Sequence, residues 1–286
     1  MANGKRLLFF DILRIVAVAL VVISHMLMFL GIDPYPESHL FFNVVYYGEG
    51  IIGVMILIFV SGAVLEYMHP RLVSLNDVAS FYVKRLVRIY PAYWTSLLIG
   101  LAMSPLLIIQ FPALNTILEF TGFFAYSGVW VGAINPIGWF IGVIVGLYFA
   151  FPFLSAAIRK HPYASLFVIA VAEVFLRIFF NTMHPYPLGP HPDRWVPMCS
   201  FLEFGLGIFV VQQGFYPKVE CTSKWILFLA DFSFYVFLAH NYPNQKSMIL
   251  ISPIFYLVEV ALLAGLIMLA DKWVQKRINP HLFPHR

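Results

Sequence analysis

Long apolar runs separated by short polar breaks dominate this chain, and eight of them approach the length that crosses a bilayer. They lie at roughly 8–30, 47–68, 89–110, 137–157, 163–181, 197–214, 223–241 and 251–271. The pattern predicts an all-α fold, a polytopic membrane helical bundle of about 8 transmembrane helices. The first run is about 22 residues with no small-residue cleavage site after it, too long for a signal-peptide core, and is read as a retained span. Between 111 and 136, Leu114 to Val131 is apolar enough for an interfacial or re-entrant helix. Two short crossings there would raise the count to 10 and keep the parity. No stretch reads as a soluble domain, so residues 1–286 are taken as one membrane-embedded domain.

Composition agrees: 61% of the 286 residues are hydrophobic and 11% charged, against about 25% charged in an ordinary soluble domain. The basic residues then orient the spans. With the N-terminus inside, the inner segments hold Lys5, Arg6, Arg71, Lys84, Arg85, Arg88, Arg159, Lys160, Lys218, Lys224, Lys272, Lys276, Arg277 and Arg286. The outer loops hold only Arg194 and Lys246. That bias places both termini in the cytoplasm and the chain in a cell membrane, inner or plasma, as a multi-pass protein. The net charge of +4 is the same bias and not a nucleic-acid footprint. Cys199 and Cys221 fall near opposite ends of the sixth run, too far apart for a disulfide.

Within the first run stand Asp11, Arg14 and His25. Eleven residues on a helix make three turns plus about 20°, so Arg14 and His25 share a face, about 16 Å apart along the axis. Asp11 lies one turn before Arg14 on that side. A charge at the bilayer centre costs roughly 2.5–3.5 kcal/mol on the gentlest scale, so such groups face a bundle interior or a wet cavity. The plain alternative is an Asp11–Arg14 pair near the cytoplasmic end with His25 a satisfied buried histidine.

Further charge gathers at the entrance to the third run, where Lys84, Arg85 and Arg88 project to one side of a helical turn. Any span carries a cytoplasmic anchor of this kind, but a fork of arginines also suits phosphate. The preceding segment, Asn76 to Val83, reads as a short surface helix. Ser61, Gly62 and Ala63 in the second run let another backbone approach closely, a packing role. Ser233 and His240 are two turns apart, about 10 Å, and cannot by themselves form a nucleophile–base couple. Glu173 and Arg177 have the spacing of an intrahelical ion pair. Glu203 and Glu259 have no partner legible in the sequence, and Glu203 is the better placed to assist a histidine. His184 and His191 in the Pro-rich loop at 182–196 lack a compact ligand spacing, so no metal is expected. GxxxxGK[ST] does not occur.

The order of these features resembles the acyltransferase-3 family of integral membrane O-acyltransferases. FFDILRIVAVALVVISH (9–25) is similar to that family's Arg-and-His opening span, and IFVSGAVLEY (58–67) to its Ser-Gly span. FYVKRLVRIYPAYW (81–94) resembles its basic motif, WFIGVIVGLYFAFPFL (139–154) its Trp…Tyr…Phe-Pro span, and LADFSFYVFLAH (229–240) its Ser-aromatic…Leu-x-His span. The resemblance implies an enzyme that moves an acyl group, commonly acetyl, from acetyl-CoA or another acyl-CoA donor to a hydroxyl of a glycan or lipid-linked acceptor in the bilayer. Carried over, Arg14 and His25 are the catalytic pair, Lys84, Arg85 and Arg88 hold the coenzyme A phosphates, and Ser233 and His240 form a secondary site on the acceptor side. Many members carry an acidic residue where this chain has Ile144, so a carboxylate must come from elsewhere, with Glu203 the candidate. Eight spans is also fewer than the family's usual ten. Two other classes fit the intramembrane charges: a carrier of an anionic or glycosylated lipid using Arg14 and His25 for substrate and proton coupling, and a non-catalytic scaffold.

Overall fold

The computed structural model describes residues 6–29, 40–72, 74–103, 113–127, 134–183, 192–242 and 253–282. Lys5, Lys246, Arg286 and the loop histidines His184 and His191 lie outside them. Nine helices are named here: α1 (Leu8–Phe29), α2 (Leu40–Met68), α3 (Leu75–Met103), α4 (Ala113–Thr121), α5 (Gly138–Lys160), α6 (Pro162–Met183), α7 (Phe201–Gln212), α8 (Lys224–Ala239) and α9 (Pro253–Leu282). The chain divides into two compact units, Ile58–Pro217 and Lys5–Leu57 with Lys218–Arg286.

Among the described residues six helices are long and apolar enough to cross a membrane: Leu8–Leu27, Gly50–Met68, Leu75–Met103, Gly138–Lys160, Pro162–Met183 and Pro253–Ile278. The runs expected at 197–214 and 223–241 are shorter helices. A 3₁₀ turn, Pro197–Ser200, occupies the start of the first, leaving 12 residues in α7, and α8 has 16. At 1.5 Å per residue these reach about 18 and 24 Å, short of the roughly 30 Å hydrocarbon core. Hydropathy alone does not register such a turn, because Met198 and Cys199 beside the strongly apolar helix keep the window average high.

In the first unit, α3 starts earlier than expected. Ser74 and Asp77 cap each other, the Asp77 amide donating to Ser74 Oγ at 3.1 Å and the Ser74 amide to Asp77 Oδ2 at 2.9 Å. The helix then runs unbroken through Pro91, so Asn76–Val83 is its first two turns and not a separate surface helix. The segment at 113–121 is a nine-residue helix, too short to cross. Its end is closed by α3: Tyr93 Oη donates to the Glu119 carbonyl at 2.6 Å, Trp94 Nε1 to Phe120 at 2.8 Å and Tyr90 Oη to Thr121 at 2.9 Å. The Phe120 and Thr121 carbonyls would otherwise be orphans of the helix terminus, while that of Glu119 also accepts the Gly122 amide at 2.9 Å. Gly122 follows at φ 81°, a conformation that costs glycine nothing.

The small residues of α2 act as expected. A Cβ on Gly62 would stand 2.1 Å from the Phe204 carbonyl oxygen, and one on Gly207 2.1 Å from that of Phe59, so α2 and α7 meet backbone to backbone. Outward faces are apolar: Phe167 on α6 is 70% exposed, as a lipid-facing helix requires.

The second unit packs α8 between α1 and α9. Residues 219–221 clamp the start of α1, with the Leu8 amide donating to the Val219 carbonyl at 2.9 Å and the Cys221 amide to Arg6 at 2.8 Å. Cys199 and Cys221 are both free and buried.

Candidate active site

Helix α1 turns its polar stripe inward. Asp11, Ala17, Val18, Val21 and Val22 are buried and Arg14 and His25 half-buried, whereas Ile12, Val16 and Ile23, on the opposite arc, are exposed. Asp11 is held chiefly by Arg6, whose Nη2 lies 2.7 Å from Asp11 Oδ1 and whose Nη1 lies 2.8 Å from Asp231 Oδ1. Arg14 stands farther from that carboxylate, at 4.0 Å. The plain Asp11–Arg14 pairing is thus a minor contact. Arg6 entered the sequence reading only as an inner charge, and no local spacing pointed to a partner 225 residues away.

His25 meets the other histidine of interest. Its ring lies edge-on to that of His240, with centroids 4.7 Å apart at 75°. His25 Nδ1 is 2.9 Å from the Val21 carbonyl oxygen, and His240 Nδ1 is 2.7 Å from that of Phe237. A carbonyl oxygen only accepts, so each Nδ1 carries the hydrogen and each Nε2 of a neutral ring presents a lone pair. His240 is fully buried, and its Nε2 has no hydrogen-bond partner among the described residues. A buried acceptor left open costs about 1–3 kcal/mol, a charge a fold meets where a ligand later completes the bond. Tyr256 Oη fixes the turn from behind, donating to the His240 carbonyl at 2.9 Å. Ser233 is buried with its hydroxyl donating to the Ala230 carbonyl at 2.9 Å.

In the first unit, Lys84 and Arg85 are half-buried and Arg88 is exposed on α3. Arg85 lies over the Phe81 ring at 5.9 Å, its Nη2 3.1 Å from His69 Nε2. Glu173 and Arg177 pair at 3.0 Å as their spacing predicts, and Arg177 also reaches Glu203 Oε1 at 3.4 Å. Glu203 therefore has a cation as partner in its own unit, while its Oε2 is buried without a hydrogen-bond partner among the described residues. Ile144, at the place where a carboxylate was sought, is buried.

Glu66, Glu119 and Asp271 are buried acids with no signal in the sequence reading, Asp271 accepting from Tyr235 Oη at 2.7 Å. Glu66 binds Arg159 and accepts from Ser155 Oγ at 2.6 Å. Glu119, on α4, accepts the Asn135 amide at 2.6 Å, and burial pushes its carboxyl up to about 7. Glu66 and Glu119 are acids within apolar stretches, and only their partners, 93 and 16 residues away, explain them.

A family model described as an acyltransferase domain matches residues 7–282, nearly the whole chain. The chain belongs to the acyltransferase-3 family. No curated protein and no solved structure matches it. Membership makes this a membrane acyltransferase by descent. Among the described residues no three metal-ligating side chains come together.

Proposed function

We propose that the protein transfers an acyl group, in the first instance acetyl, from cytoplasmic acyl-CoA to a hydroxyl of a glycan or lipid-linked acceptor at a cell membrane. The observation that carries this reading is the His25–His240 pair, two imidazoles edge to face with each Nδ1 on a backbone carbonyl and His240 Nε2 buried without a hydrogen-bond partner among the described residues. A hydroxyl is a poor nucleophile at neutral pH, and a positioned imidazole removes its proton as the new bond forms, a gain of about 10²–10⁴-fold. His25 is the general base. The acceptor oxygen bonds the acyl carbon, the carbon–sulfur bond breaks, and the proton held on Nε2 passes to the departing thiolate, giving the ester and free coenzyme A. His240 accepts a hydrogen bond from the acceptor through Nε2. Arg14 organises the acyl donor, Ser233 assists the acceptor side, and Glu203 Oε2 binds an acceptor hydroxyl in place of the carboxylate absent at Ile144.

Lys84, Arg85 and Arg88 take phosphates of the coenzyme, a role suited to two forked guanidinium groups with a lysine beside them. In this reading eight helices cross or enter the bilayer with both termini inside, the short α7 and α8 among them. No metal takes part. The test uses the purified protein with acetyl-CoA. Arg88→Ala should weaken donor binding, most at low salt and less as salt screens the contact, whereas His25→Ala should stop transfer while the donor still binds. Near-normal transfer by His25→Ala would remove the base assignment.

A further inference from the structure

Where α2 and α5 end in the first unit, two cavities open that share Pro70 and Arg159 as a wall. One, of about 340 Å³, is lined by His69, Arg71 and Lys160. The other, of about 400 Å³, is lined by Tyr67, Tyr216, Gln212 and Gln213. Each lies within the ~300–1,000 Å³ of small-molecule sites. Their chemistry differs sharply. The first is cationic, and Arg159, shared by both, is fixed by the buried Glu66 carboxylate and the Pro70 carbonyl. Arg85 of the α3 cluster reaches into its rim through His69.

The second cavity is aromatic and amide-lined. The Tyr67 and Tyr216 rings stand edge to face, centroids 6.2 Å apart. Gln212 Nε2 donates to the Ser155 carbonyl at 3.0 Å, which fixes the amide. The Gln212 Oε1 atom is buried without a hydrogen-bond partner among the described residues. An aromatic ring face, an unpartnered amide acceptor and an adjoining cationic hollow match three parts of one ligand class. A purine stacks on the ring, its exocyclic amine donates to the amide oxygen, and its phosphates meet the cations. A lipid headgroup would fill the cationic hollow and leave the aromatic one idle.

We propose that these adjoining cavities seat an adenine nucleotide, its base against Tyr67 and Tyr216 and its phosphates toward Arg71 and Lys160, with Arg85 of the α3 cluster at the rim of the same hollow. The assignment rests on the acyl-CoA reading only in taking that nucleotide to be the handle of the acyl donor.

The experiment titrates adenosine 3′,5′-bisphosphate, which carries no thioester, into the full chain in nanodiscs of zwitterionic lipid, with pyrophosphate as a second probe. Lys160→Ala and Tyr216→Ala should each weaken bisphosphate binding about tenfold, and Tyr216→Ala should leave pyrophosphate binding unchanged. Both side chains are at least partly exposed, and size-exclusion profiles check that each variant is folded. Unaltered bisphosphate affinity in both variants overturns the proposal. So does an effect of Lys160→Ala alone, or competition by anionic lipid that Tyr216→Ala does not alter, either of which marks a simple phosphate or headgroup site. Transfer from acetyl-CoA is read separately. Variant-sensitive binding with no transfer keeps the nucleotide seat and sinks the acyltransfer reading, and transfer with variant-insensitive binding does the reverse.

Discussion

Replacing His240 by asparagine and by glutamine separates the two nitrogens of its ring. Asparagine places an amide where Nδ1 stands, so the bond to the Phe237 carbonyl at 2.7 Å survives and the Nε2 lone pair is lost. Glutamine places its amide near Nε2 and gives up the Phe237 bond. If His240 only accepts a hydrogen bond from the acceptor, removing that acceptor costs about 0.5–1.5 kcal/mol, a fall of about 2- to 13-fold in transfer. Glutamine, whose amide oxygen can accept there, should recover part of it. His25, as base, should lose about 10²–10⁴-fold on replacement by alanine. Because the rings touch at 4.7 Å, the two losses should not add, and His25→Ala/His240→Asn should be scarcely slower than His25→Ala alone. The assay is incorporation of label from acetyl-CoA into hydroxyl-bearing lipid and glycan by membranes holding equal amounts of each variant. A drop for His240→Asn as deep as that for His25→Ala, with His25→Ala mild, would reverse the roles and refute this reasoning.

Two further outcomes concern stability. Arg6→Ala leaves the buried Asp11 to Arg14 at 4.0 Å; breaking a buried pair costs ~3–5 kcal/mol, reduced to about 2 here because the Arg6 side chain is 31% exposed. Thermal unfolding should fall by several degrees and be largely restored by adding Asp11→Asn, and no rescue would mean Arg6 acts elsewhere. Glu119 titrates near 7 in the fold against 4.5 in the unfolded chain, so the folded state binds more protons between those values. Stability therefore declines as pH rises from about 4.5 and levels off above about 7, a change on the order of 3 kcal/mol. Glu119→Gln should flatten the unfolding midpoint measured between pH 5 and pH 8, and an unchanged slope would locate the effect in another group.

What was legible in the sequence was what a single helix carries. The α1 stripe, the Glu173–Arg177 pair and the Ser61-Gly62-Ala63 seam all follow from a period of 3.6 residues and local side-chain size. Groups brought together from distant segments left no trace. Arg6 with Asp231, His25 with His240 and Glu66 with Arg159 are contacts of tertiary packing, and each half taken alone reads as an ordinary terminus, motif or anchor. Two expected spans came out short for a related reason. Met198 and Cys199 keep the average high through Pro197–Ser200, and hydropathy measures the solvent a segment prefers, not where its helix begins.

The aromatic closure of α4 carries a consequence for biogenesis. A nine-residue helix whose Phe120 and Thr121 carbonyls are satisfied by Trp94 and Tyr90 of its predecessor has no self-sufficient terminus. During insertion those oxygens must stay with water or headgroups until α3 stands in position. The order of assembly is thereby built in: α3 settles first, and α4 can close only against a helix already waiting for it.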